Sequence, residues 1–145
     1  MASRLVEKAC LSAKGLLGKV RKIFEKVKEP PKGGQGKKQE ISIADCLMSA
    51  LAMFKLKFAS LLQFEHAQKK EPIKQNLENL FALERIPCDT YMRERLDEVN
   101  PDDIRKAFTS VFSALQRGKA LEKYAFLDGK YLLLNDGTGF FSSNY

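Results

Sequence analysis

The chain has 145 residues, 44% of them hydrophobic and 30% charged, a balance that excludes a disordered polar tract and fits one globular domain of the soluble kind. Its net charge of +7 resides entirely in residues 1–40, which hold 11 Lys/Arg against 4 Asp/Glu, whereas residues 41–145 hold 14 of each sign. Lysines interrupt every apolar stretch near the N-terminus, so these residues are not expected to act as a signal peptide, and the longest uncharged apolar run, Cys46 to Phe54, is nine residues against the ~20 of a membrane helix.

Residues 4–28 read as an amphipathic helix. Leu16, Val20, Ile23, Phe24 and Val27 fall on one stripe, and Lys14, Lys19, Arg21, Lys22, Lys26 and Lys28 occupy the rest. Pro30-Pro31 ends it. Residues 30–41, with Gly33, Gly34 and Gly36, read as a flexible charged linker. The segment 1–29 is therefore expected as a basic amphipathic arm, with residues 42–123 as a helical domain.

A second helix begins at Ser42, whose hydroxyl caps free backbone N–H groups while Asp45 completes a capping-box pattern. Ile43, Leu47, Leu51, Phe54 and Phe58 recur at helical spacing, and apolar residues fill the other faces, so burial nearly all round is expected. A break falls near residues 57–60. Pro72 opens a third helix with Ile73, Leu77, Leu80 and Phe81 inward, and Pro87 forces the chain out of it. Asp89 caps a fourth, with Met92, Leu96 and Val99 inward. Asn100-Pro101-Asp102-Asp103 is a strong start signal for a fifth, whose Ile104, Ala107, Phe108, Val111, Phe112 and Leu115 give a clear inward period. Gly118 is expected to stop it in a left-handed conformation. Tyr124 to Leu127, Asp128-Gly129 and Lys130 to Leu134 read as a β-hairpin with a tight Asp-Gly turn. Leu132-Leu133-Leu134 does not alternate with polar residues, which suits a strand buried on both faces.

Cys10, Cys46 and Cys88 and the lone His66 show no metal-ligand spacing. Cys46 lies in an apolar helical run and is expected as a buried thiol, and His66 as a helix-surface residue. The pair of helices around Pro87 has a helix-turn-helix order, with Arg93 and Arg95 as candidate DNA contacts. Residues 71–99, however, hold 4 Lys/Arg against 7 Asp/Glu, so structural packing outweighs DNA readout there. The basic helix has three readings: contact with the DNA backbone through Lys14, Lys19, Arg21, Lys22, Lys26 and Lys28, contact with an anionic membrane, or packing on the body.

Leu132-Leu133-Leu134-Asn135-Asp136-Gly137-Thr138-Gly139-Phe140-Phe141 joins an apolar run, one carboxylate, a glycine-rich turn and an aromatic run. By pattern alone, Asp136-Gly137 is a hairpin turn like Asp128-Gly129. The segment also resembles the opening hairpin of the ribonuclease H-like core of DDE transposases of bacterial insertion sequences. The resemblance extends in order through Leu47 to Phe54, Ser60 to Phe64, Arg85-Ile86-Pro87, Arg93 to Asp97 and Phe126 to Leu132, and covers about residues 40–143. It implies a mainly α-helical region of about five helices, with residues 124–145 as the start of a truncated ribonuclease H-like sheet. It implies Asp136 as the first catalytic, metal-binding carboxylate. In the intact enzyme two Mg²⁺ ions, about 3.5–4 Å apart, hold the attacking and leaving oxygens during phosphodiester cleavage and strand transfer. The second aspartate and the glutamate of that triad have no counterpart here, so this chain alone is expected to be inactive, to bind Mg²⁺ weakly at most and to retain DNA binding. Implied partners are DNA at element ends, a second copy or an intact transposase, in the bacterial cytoplasm at the nucleoid, with no membrane span. The alternative is a non-enzymatic helical interaction protein, or nucleic-acid-binding protein, with a basic arm.

Overall fold

The computed structural model describes residues 11–29 and 41–132, which form six helices and one two-stranded antiparallel hairpin. The mainly helical expectation holds at that level. Nothing in the described hairpin amounts to a ribonuclease H-like sheet.

Helix α1 spans Ala13–Phe24. It starts where Ser12 Oγ accepts the Gly15 N–H at 3.1 Å, and it gives out into turns at Glu25 to Val27 rather than running on to residue 28. Its apolar stripe does not stand free. Val20, Phe24 and Val27 are buried in the same core as the rest of the body, with Leu17 and Ile23 packed beside them.

Helix α2, Ile43–Lys55, begins with the capping arrangement that its sequence encodes. Ser42 Oγ accepts the Asp45 N–H at 3.1 Å and donates to Asp45 Oδ2 at 2.8 Å. Ile43, Cys46, Leu47, Met48, Ala52 and Met53 are buried. Phe54, expected inward, is exposed, although Ile43 and Leu47 of the same stripe are buried: it lies in the last turn of α2, past the part of that stripe that the core covers. The helix ends with Lys57 in a left-handed conformation (φ 60°) while the Phe58 N–H reaches back to the Met53 carbonyl at 3.1 Å.

Helices α3 (Leu61–Ala67), α4 (Ile73–Asn79) and α5 (Asp89–Asp97) are short and contribute Phe64, Leu77 and Met92 to the core, with Phe81 and Leu83 from the connection after α4. Pro72 sits one position earlier than expected, just before α4. Asp89 does not cap α5. Cys88 occupies that position, and the Asp89 N–H is satisfied from elsewhere, by Glu65 Oε2 of α3 at 2.9 Å.

Helix α6, Pro101–Arg117, is the longest. Asn100 Oδ1 accepts the Asp102 N–H at 3.0 Å, Pro101 takes the first turn and Asp102 and Asp103 face the positive helix end. Ala107 and Ala114 are buried, but Phe108 and Phe112 are not. Gly118 is not left-handed (φ −79°); that role falls to Lys119 (φ 56°), with the Ala120 N–H on the Leu115 carbonyl at 2.9 Å. Gly118 serves a close approach instead: a Cβ there would lie 2.4 Å from Leu11 Cδ1.

The principal contacts run in series: α6 on α1, α1 on α2, α2 on α5 and α5 on α3. The hairpin follows a single 3₁₀ turn at Glu122–Tyr124 and pairs β1 (Ala125–Phe126) with β2 (Lys130–Tyr131), Ala125 opposite Tyr131 and Phe126 opposite Lys130. Its loop is three residues, Leu127, Asp128 and Gly129, all at positive φ, so Leu127 belongs to the turn rather than the strand. Both strands are exposed throughout, as is Leu132. The expectation of a strand buried on both faces therefore fails for its described part. Among the described residues no element buries these side chains, and a two-stranded ladder has no second layer of its own.

Candidate nucleic-acid interface

Helix α1 carries the cations. Its twelve residues contain four Lys/Arg and no acid. Lys14 and Lys22 are exposed on the side away from Val20 and Phe24, Gly18 lies between them, and Lys26 extends the line one turn past the helix. Lys28 is exposed next to them in the chain, and Lys19 is half-buried at the flank. The stripe is set on a rigid base because the opposite face of α1 is in the core.

The arginines behave differently. Arg21 is half-buried and donates through Nη2 to Asp45 Oδ1 at 2.7 Å, with Glu25 Oε1 3.4 Å from its Nε. It fastens α1 to the N-terminus of α2. The Arg95 side chain is only 11% exposed. It pairs with Glu29 and lies 6.0 Å from the centre of the Tyr91 ring. Arg93 is 64% exposed and pairs with Asp89 of its own helix at 3.5 Å. The eight candidate DNA contacts thus divide. The lysines gather along α1, Arg21 and Arg95 sit in ion pairs between elements, and Arg93 stands on another helix.

Around Arg95 lies a polar seam for which the sequence gives no local signal. Glu29 Oε1 accepts the Ile43 N–H at 2.9 Å, so Glu29 caps α2 from across the intervening segment. Tyr91 Oη donates to the Ile41 carbonyl at 3.3 Å. With Arg21–Asp45, these contacts bring residues 29 and 41 to one place, the two ends of the stretch expected as a flexible linker. Residues 30–40 themselves lie outside the described residues.

Cys46 is buried beneath this seam. Burial pushes its thiol up to about 11, against the lowering influence of Arg95 and with smaller raising contributions from Asp45 and Glu29. It stays protonated at neutral pH and is no nucleophile. Cys88 is an exposed free thiol, and His66 is exposed on α3 as expected.

Asp136, the candidate catalytic and metal-binding carboxylate, lies outside the described residues. Among the described residues no group of three or more His, Cys, Asp or Glu is placed to hold a metal ion, and no helix is long and apolar enough to cross a membrane. No family model, curated protein or solved structure matches the chain.

Proposed function

We propose that this protein binds nucleic acid through the lysine face of α1, by contacts to the phosphate backbone that do not read sequence. The supporting observation is the stripe Lys14, Lys22 and Lys26: three exposed cations in line along α1 and the turn that follows it, with the other side of the helix fixed in the core. A fixed array of ammonium groups matches a fixed array of phosphates, and each phosphate neutralised releases counterions. Lys28 and the half-buried Lys19 extend the contact. Arg21 and Arg95 act in this reading by holding the helix in place, since both are engaged with carboxylates.

The resemblance over residues 40–143 makes DNA the proposed nucleic acid and transposition the proposed process. On that reading the chain is the N-terminal region of a DDE transposase, with Asp136 as its first Mg²⁺ ligand and its remaining helices as scaffold. The alternative, a helical interaction protein, is favoured by one observation of its own, the exposed phenylalanines of α6.

Fluorescence anisotropy of the full chain on a labelled duplex, titrated at several salt concentrations, tests the lysine face. Replacing Lys14, Lys22 and Lys26 by Gln is expected to weaken binding on every duplex and to flatten the slope of log affinity against log salt by about 0.9 per lysine. An unchanged slope would remove the proposal. A preference for insertion-element ends over unrelated duplex would favour the transposition reading in particular.

A further inference from the structure

Helices α1, α2 and α6 do not close on one another completely. Between them lies a recess of about 330 Å³, walled by Leu17 and Val20 of α1, Leu51 of α2, Phe108 and Val111 of α6, and Phe81 from the connection after α4. Protein interiors leave few spaces larger than a water molecule. Water gains little in this one, because an ordered water needs two or more polar partners and these side chains supply none. A space of this size stands instead at the small end of ligand sites, which span roughly 300–1,000 Å³.

One charge breaks the apolar lining. Lys55 ends α2 four residues after Leu51, on the same side of that helix, and it lines the recess from an exposed position. An exposed lining residue beside half-buried ones marks the mouth. Lys74, Lys106 and Lys119 each stand beside an acid three or four residues away. Lys55 has no such neighbour: among the described residues it makes no ion pair, and no acid lines the recess.

We propose that this recess binds a small amphipathic monocarboxylate, its apolar chain between α1, α2 and α6 and its carboxylate on the Lys55 ammonium. The lining selects that class. Apolar walls reject a polar or multiply charged molecule, whose groups would lose water without gaining partners. A neutral hydrocarbon fills the walls but leaves the cation at the mouth unused, and a cationic head meets like charge there. A single anion at the end of a chain satisfies both parts of the site. A bilayer surface fits less well, since it takes up an apolar face that protrudes, whereas these side chains line a hollow. Lys55 also complements the negative end of α2, a role that any cation in the last turn fills. That role gives no preference for a carboxylate over an alcohol, so the preference is what isolates the site.

Calorimetric titration of the full chain with octanoate, decanoate and dodecanoate, each below its micelle concentration, tests the proposal. Affinity is expected to rise about fourfold per methylene and to level off once the chain fills the recess. Decanoate is expected to bind about threefold more tightly than decanol. Lys55→Met should abolish that preference and Lys55→Arg should keep it. The chain contains no tryptophan, so Phe108→Trp places a single reporter in the wall, and decanoate is expected to shift its emission to the blue. A reporter in the exposed hairpin, Phe126→Trp, should not respond. Gln at Lys14, Lys22 and Lys26 is expected to leave decanoate affinity unchanged, which separates this result from that for nucleic acid. Absence of saturable binding overturns the proposal, as does an equal response of the two reporters. So does a carboxylate preference that survives Lys55→Met or is lost with the three α1 lysines. Association with phosphatidylglycerol vesicles but not with monomeric decanoate would give the recess to a bilayer and overturn the proposal as well.

Discussion

Helix α1 and the C-terminal hairpin lie near opposite ends of the described chain, and both carry apolar residues at regular spacing. They meet opposite fates. The stripe of α1 is buried against α2 and α6, and ion pairs and a remote cap pin the end of the helix through Arg21, Glu29 and Arg95. The hairpin has its turn and two rungs of pairing, yet Phe126, Leu127, Tyr131 and Leu132 all remain exposed. Local pattern formed both elements. What separates them is whether a complementary apolar surface was within reach, since burial rather than turn chemistry supplies most of the stabilisation.

The largest effect that sharpens this contrast is a truncation on each side. Phe24→Ala removes a buried ring from the shared core and is expected to cost about 3–5 kcal/mol, unfolding the helical body as one unit in urea. Tyr131→Ala is expected to cost less than about 0.5 kcal/mol. If the Phe24 variant lost only the helicity of α1 and left the remaining transition in place, α1 would be an appendage after all and the contrast would collapse.

A second, smaller effect reads the seam between α1 and α2. The Cys46 thiol is raised from 9.0 to about 11 in the folded chain by burial. Above pH 9 the unfolded chain releases this proton while the folded chain keeps it, so unfolding is increasingly favoured. The stability associated with the thiol is complete below pH 9 and is lost as pH rises towards 11. Over that interval wild type is expected to lose about 1.4 kcal/mol per pH unit more than Cys46→Ala, measured by urea unfolding. Equal slopes would mean that the thiol is not shielded and that the seam is open.

The helix starts could be read from sequence because their determinants are local. Ser42 with Asp45, and Asn100 with Pro101, act within three residues of the backbone groups that they satisfy. The lysine face was equally accessible, since a helical period sorts Lys14 and Lys22 from Val20 and Phe24 whatever the rest of the chain does. The arginines could not be sorted this way. Arg21 pairs with an acid 24 residues on, and Arg95 with one 66 residues back. A cation's sequence position says nothing of such partners. The same holds for Glu65 at the start of α5 and Glu29 at the start of α2. Periodicity also overstated burial. It identified Phe54, Phe108 and Phe112 as apolar-face residues, but the number of neighbours a helix finds is a property of the packed set and not of the helix.

The smallest effect concerns two glycines that look alike in the sequence. Gly18 lies mid-helix in α1, on the lysine side, with nothing within 4 Å of where a Cβ would stand. Its flexibility serves no turn, so Gly18→Ala is expected to stabilise the protein by about 0.5–1 kcal/mol through helix propensity and a less flexible unfolded chain. The same change at Gly118 sets a Cβ against Leu11, and is expected to destabilise by about 1 kcal/mol as that side chain is displaced from the end of α6. Opposite signs in thermal unfolding would confirm that α1 is a continuous, well-seated helix at residue 18 and that Leu11 anchors its approach to α6. A loss of stability at Gly18 would instead mean that something covers the lysine face there, and the open phosphate-binding surface proposed for it would have to be abandoned.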